Sequence, residues 1–305
     1  MDVISIKDFP GIRIGNAQNV EGGTGCTVIL SESGMCAGLD VRGGGPASRE
    51  SELLKPLASA QTIHAVLLGG GSAFGLDAGG GVMQFLEEKD IGFDVGVTKV
   101  PLVCQSDLFD LTVADPHCRP DKAMGYEACK NAYLDNYQDG NFGVGTGATV
   151  GKFKGMDFCM KSGIGSYAVQ IGELKVGAIV AVNALGDIYD HHSGRIVAGL
   201  LSEDRNSFAN SAKLLYQSYK VHENKYVDNT TIGAIITNAR FDKSQLCKIA
   251  GMTHNGYARS IRPVHTSADG DSIYALSVGT VAADCDMVGT LAADVMSEAI
   301  LCAVR

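Results

Sequence analysis

A chain of 305 residues, 45% hydrophobic and 19% charged, is long enough to bury a large core and too apolar to be disordered. A formal charge of −9 argues against a nucleic-acid partner, which would need clustered Lys and Arg. The longest apolar runs, such as Val176–Val182, are far too short to span a bilayer. Nine cysteines without a Cys-x-x-Cys pair, and a start at Met1–Asp8 lacking a basic and an apolar region, predict reduced thiols in a cytoplasmic protein.

In chain order, strands are expected at Thr27–Leu30 and Met35–Val41, a helix at Glu50–Ala60, a strand at Ala65–Leu68, and helices at Val82–Glu88 and Lys122–Tyr133. Strands follow at Tyr167–Ile171 and Val176–Asn183, then a helix at Ser202–Lys220 and a strand at Ile232–Thr237. A capping box, Asp242 to Gln245, opens a helix running to about Arg259, with Leu246, Ile249, Ala250 and Thr253 on one face. Strand Ser272–Val278 and a helix from about Ala283 to Ala303 complete the chain. Strands in consecutive groups with helices between them indicate a layered α+β fold, with sheets face to face under helices. No linker, repeat or composition break divides residues 1–305, which read as one domain.

Glycine is the oddity: 39 residues, clustered rather than spread. Three clusters lie in Asp40–Glu50, Gly69–Gly81 and Gly143–Phe153. Phosphate binding is the first reading to test. A P-loop needs two glycines separated by four residues, then Lys and Ser or Thr. Here Gly151-Lys152 follows Gly147 and Gly145 at three and five intervening residues, and Phe153 replaces the hydroxyl. The dinucleotide fingerprint fails because Phe74 stands where its third glycine belongs. Glycines serving turns and close packing remain the other reading. No metal site is expected. His191 and His192 are adjacent, so in a strand they would point to opposite faces, and Asp269-Gly-Asp271 is too short for a calcium loop.

Thr230 stands between a polar stretch, Ser218–Asn229, read as an exposed loop, and the apolar strand Ile232–Thr237. An ordinary strand start is one reading. The other is cleavage after Asn229. A threonine hydroxyl is a weak nucleophile, but a free α-amine on the same residue, with a pKa near ~7.7–8.0, can accept its proton. Cleavage at the threonine would create that base.

Taken in order, Gly11–Gly15, Asp40-Val-Arg-Gly-Gly, Gly69–Asp77, Asn229-Thr-Thr-Ile-Gly233 with Thr237-Asn-Ala239, Arg262-Pro-Val-His-Thr266 and Asp269-Gly-Asp271 resemble the DmpA-type family. That family comprises self-processing aminopeptidases, β-peptidyl aminopeptidases and nylon-oligomer hydrolases. The resemblance implies a four-layer αββα sandwich, related in plan to N-terminal-nucleophile hydrolases. It implies self-cleavage between Asn229 and Thr230 into 1–229 and 230–305, with Thr230 as the nucleophile of an amidohydrolase. It also implies a homo-oligomer of αβ units, a tetramer in many members, with no metal or organic cofactor. By the same correspondence Lys152 stands beside the nucleophile, Asn183 hydrogen-bonds the oxyanion, and Asp269 and Asp271 orient Thr230. Asp107 is expected to clamp a substrate amine, and Gly70, Gly71 and Ser72 to line the place of a small peptide or amide substrate. Two other readings remain: acyl transfer from the same self-cleaved threonine, as in ornithine acetyltransferases, and a non-catalytic glycine-loop binding protein.

Overall fold

The run Leu174–Asn183 is apolar at nearly every position, as suits a strand covered on both faces. In the computed structural model, which describes residues 1–219 and 229–305, that strand does lie between two layers. One sheet runs in the order β1 (Asp2–Ile4), β11 (Ile164–Ile171), β12 (Leu174–Asn183), β15 (Thr230–Ala239), β17 (Ser272–Val281) and β3 (Thr24–Val41). The other continues from β3 through β5 (Ile63–Gly69) and β8 (Val103–Asp107) to β4 (Ala47–Arg49), with β2 (Arg13–Asn19) also on β3. Pairing is antiparallel except between β15 and β17 and between β5 and β8.

Residues of β12 alternate between two cores. Val176, Ala178, Val180 and Val182 pack under helices α4 (Lys243–Ser260) and α5 (Cys285–Cys302), while Ile179 and Ala181 face the second sheet. On β5 the same alternation sends Val66 and Leu68 between the sheets, and Ala65 and Leu67 toward α1 (Ala78–Glu88) and α2 (Lys122–Tyr133). The layering is therefore α, β, β, α. Gly81 and Gly125 let α1 and α2 touch backbone to backbone: a Cβ on Gly81 would stand 1.8 Å from Lys122 O, and one on Gly125 2.0 Å from Ala78 O.

Several elements differ from expectation. Thr27–Leu30 and Met35–Val41 are halves of the single strand β3, whose register shifts between Leu30 and Met35. Its first half pairs with β2 and β5 and its second with β17, so one strand belongs to both sheets. The helix expected at Glu50–Ala60 is a single 3-10 turn, Ser51–Leu54, because Lys55 precedes Pro56 and adopts an extended conformation. Of Ser202–Lys220 only Ser211–Gln217 (α3) is helical, starting where the Asn210 side chain accepts from Lys213 N. Lys220 lies outside the described residues. The capping box at Asp242 and Gln245 forms as the sequence requires.

Short strands complete the fold: β6 (Phe93–Asp94) pairs with β7 (Lys99–Val100), and β9 (Thr149–Val150) with β10 (Met160–Lys161). β13 (Asp187–Tyr189) pairs with both β14 (Ile196–Ala198) and β16 (Ile261–Arg262). No helix among the described residues is long and apolar enough to cross a membrane.

Candidate active site

Thr230 opens β15 opposite Asn183, the last residue of β12, and is 4% exposed. Two rigid strands therefore fix the separation of these residues before any side chain is placed. The Thr230 hydroxyl donates to the carbonyl oxygen of Asn229. Gly270 N lies 3.2 Å from Thr230 Oγ1 and 3.3 Å from Asn229 O, so one amide faces both the hydroxyl and that carbonyl. Asn229 was expected in an exposed loop; it is buried and bridges to Asp269. Of the rest of Ser218–Asn229, residues 220–228 lie outside the described residues.

Asn183 is fully buried and carries a dense set of hydrogen bonds. Its Oδ1 accepts from Lys152 Nζ at 2.8 Å, Thr149 N at 3.1 Å and Thr149 Oγ1 at 3.3 Å, while Nδ2 donates to Phe109 O at 2.8 Å. Lys152 is 8% exposed. Its ammonium works against the burial that raises the carboxyl pKa values of Asp110 and Asp269.

The acidic turn faces the other side of Thr230. Asp271 Oδ1 accepts from Thr231 N at 2.7 Å, and its Oδ2 accepts from His265 N at 3.1 Å and pairs with His265 Nδ1 at 2.8 Å. Asp269 Oδ2 accepts from Thr266 N at 2.5 Å. Burial, followed by the charge of Asp271, pushes the Asp269 carboxyl up to about 6. The first glycine cluster packs beneath this turn. Arg42 N donates to Asp271 O at 2.9 Å and Gly45 N to Asp269 O at 2.8 Å; a Cβ on Gly43 would stand 2.1 Å from Asp269 O.

The second and third glycine clusters close around carboxyl groups. Asp110 accepts from Gly71 N at 2.7 Å and Thr24 Oγ1 at 2.6 Å, and a Cβ on Gly70 or Gly147 would strike its Oδ2 at 2.1 or 2.4 Å. Glycine loops wrapped on acids suit close packing and repel a phosphate.

The structure thus brings Thr230, Asn229, Asn183, Lys152, Asp269 and Asp271 together. It does not present Asp107 as an amine clamp. That side chain is 2% exposed beneath Gly69 and Gly75, and burial pushes its carboxyl pKa well above the usual range. Gly70 and Gly71 are buried and Ser72 half-buried; Gly71 N donates to Asp110 Oδ1 at 2.7 Å and Ser72 N to Leu108 O at 2.9 Å, on either side of Phe109, whose carbonyl accepts from Asn183. The sequence reading missed three contributors: the Gly270 amide, His265 and Asp110. Asp-Gly-Asp was the available signal for the first; the other two depend on contacts that only folding creates.

Comparison with known proteins identifies the family. The Peptidase family S58 profile matches residues 5–305. An uncharacterized aminopeptidase of Mycobacterium leprae is 36% identical, over 98% of this chain and 90% of its own length. A 6-aminohexanoate-oligomer endohydrolase of Kocuria sp. is 30% identical, over 98% and 85%. Among solved structures, the L-aminopeptidase D-Ala-esterase/amidase of Ochrobactrum anthropi, a variant of the Ntn hydrolase fold, matches with a TM-score of 0.72 at 17% identity, covering 98% of this chain and 85% of that one. A β-aminopeptidase of Burkholderia sp. matches with a TM-score of 0.68 at 19% identity, with the same coverage. At those identities the structural likeness is one of fold. The sequence matches span nearly the whole chain, and on them it belongs to Peptidase family S58 and is a hydrolase.

Proposed function

We propose that the chain is an autoprocessed amidohydrolase that cleaves between Asn229 and Thr230 and then uses Thr230 on peptide or peptide-like amides. The observation that carries this reading is the Thr230 hydroxyl directed at the Asn229 carbonyl, with the Gly270 amide beside both. In cleavage, Thr230 Oγ1 bonds to the Asn229 carbonyl carbon, the C–N bond breaks, and the hydroxyl proton passes to the departing nitrogen. Water then hydrolyses the resulting ester and leaves a free α-amine on Thr230. An N–H beside the carbonyl oxygen is suited to the charge that develops there.

In the mature enzyme that α-amine takes the Thr230 hydroxyl proton during attack on a substrate amide. The leaving amine receives the proton, and water resolves the acyl-threonine. In this reading Lys152, held by the Asn183 side chain, and Asn183 would stabilise the oxyanion, and Asp269 and Asp271 would orient the strand start and the ammonium form of Thr230. The names of the relatives, aminopeptidase and 6-aminohexanoate-oligomer endohydrolase, favour an amide substrate. Gly70, Gly71 and Ser72 would line its place. Association of αβ units into a homo-oligomer and work in the cytoplasm, where the nine cysteines stay free thiols, belong to the same reading.

Intact mass spectrometry of the purified protein is the test. Fragments of 229 and 305 − 229 = 76 residues are expected. A fully active continuous chain would refute the proposal.

A further inference from the structure

The sequence separates His191 from His192 on the expectation that strand neighbours point to opposite faces. The structure corrects this. Both residues occupy a turn between β13 and β14, closed by Asp190 N to Arg195 O at 2.9 Å and Gly194 N to Asp190 O at 2.7 Å. In that turn the two imidazoles lie side by side, with ring centroids 4.0 Å apart and 37° between planes. Both Nε2 atoms face one oxygen of α5: Glu298 Oε1 is 3.3 Å from His191 and 2.6 Å from His192. Asp190 adds a further donor, since one of its carboxylate oxygens and one nitrogen of each imidazole lie within 4.8 Å of one another.

We propose that Asp190, His191, His192 and Glu298 form a binding site for one divalent transition-metal ion of the kind that prefers imidazole, such as Zn²⁺ or Co²⁺.

The chemistry of the donor set selects that class. Two imidazoles with carboxylates suit Zn²⁺, Co²⁺, Ni²⁺ or Cu²⁺, whereas Ca²⁺ and Mg²⁺ take oxygen donors. Geometry agrees. Two atoms each about 2.1 Å from a tetrahedral ion stand about 3.4 Å apart, so the 3.3 Å between His191 and Glu298 already fits, while the His192 and Asp190 side chains must shift to complete the set. The Asp190 carboxylate is held in place by His192 N at 2.9 Å and Ser193 Oγ at 2.7 Å, and each oxygen keeps a second lone pair for an ion. Access is open on one side: the His192 side chain is 68% exposed, against 17% for His191 and 22% for Glu298. Because His191 Nδ1 is buried, Nε2 is the atom this ring offers to an ion. Without an ion, two neighbouring imidazoles compete for one carboxylate oxygen. A single dication removes that conflict. It would fasten the β13–β14 hairpin to α5, and β13 also pairs with β16 at the entry to the Arg262–Asp271 segment. The role is a structural clip, distinct from the chemistry at Thr230.

The test uses the full purified chain, stripped with a chelator and titrated with Co²⁺ and Zn²⁺ by calorimetry, visible absorption and thermal melting. One ion per chain is expected, with imidazole-type cobalt absorption, no thiolate charge-transfer band, and a melting temperature that rises with ion concentration. His192→Ala and Glu298→Gln should each weaken binding at least about tenfold while leaving the metal-free melting temperature unchanged. Equal affinity in the wild type and a His191→Ala/His192→Ala double variant would overturn the proposal. So would failure of the wild type to bind a stoichiometric ion, or binding carried by cysteine sulfur.

Discussion

Asn183 and Thr230 are direct register partners across the antiparallel β12–β15 pair. Asn183 in turn holds the Lys152 ammonium at 2.8 Å. A cation on the loop that follows β9 is thereby held near Thr230 by an amide at the end of a strand. The candidate site inherits the precision of the sheet.

Thr230 gives the first expectation. Thr230→Ala should leave a folded, uncut and inactive chain, because the hydroxyl directed at Asn229 O is gone. Thr230→Ser keeps the hydroxyl and should still process. Gel electrophoresis and mass spectrometry after purification decide it; two fragments from the alanine variant would mean that another group cuts the bond.

Lys152 and Asn183 should behave as a unit. Lys152→Ala should slow processing or turnover at least about tenfold, about 1.4 kcal/mol of transition-state stabilisation. The loss in a Lys152→Ala/Asn183→Ala double variant should be smaller than the two single losses combined, because each side chain acts through the other. Additive losses measured in a rate cycle would separate their roles.

Asp269 should show a trade of stability against function. Its carboxyl is raised to about 6 from an ordinary 3.8, by burial and by Asp271, so the native state favours the protonated form. That contribution is complete below about 3.8 and is lost as pH rises through about 6. Above it, the buried charge costs stability. Asp269→Asn should therefore raise stability at neutral pH by up to about 3 kcal/mol, with little gain at pH 4, while impairing processing. Melts at both pH values check the sign, and a variant less stable at neutral pH would refute the assignment of the cost to the charge.

The outcome for the sequence reading follows the range of the interactions involved. β12 and the Asp242 cap were legible because periodicity and capping are local, and Thr230 was legible as a junction between polar and apolar chain. The fate of Asp107 was not. Its short strand β8 was not anticipated, and its burial depends on Gly69 and Gly75 closing over it from elsewhere in the chain. The same limit hid the shared turn of His191 and His192, where a strand was assumed. It also hid the division of β3 between sheets, since Ser31–Gly34 reads as a break between two strands rather than a bend within one. Glu50–Ala60 is a different case: Pro56 was visible in the sequence and should have ended the helix.

His265 supplies the last expectation. It sits at φ 58°, and its Nδ1 and backbone amide both meet Asp271 Oδ2, whose other oxygen accepts from Thr231 N. The ring is wedged against Tyr257, with centroids 6.0 Å apart, and His254 at 4.8 Å. Burial pushes His254 down to about 4, so at neutral pH it is uncharged and does not compete for Asp271. Under the proposed function His265 is a positioning residue: it meets the Asp271 carboxylate, which accepts from the amide of Thr231 beside Thr230. His265→Ala should slow processing about tenfold by loosening that chain of contacts. His265→Asn should restore most of the rate, since Asn tolerates the left-handed backbone and offers an N–H toward Asp271. A ring needed only for packing would give equal losses in both variants. Time courses of precursor cleavage for the two, run beside their melting curves, therefore distinguish a hydrogen bond that aims Asp271 from a ring that fills space.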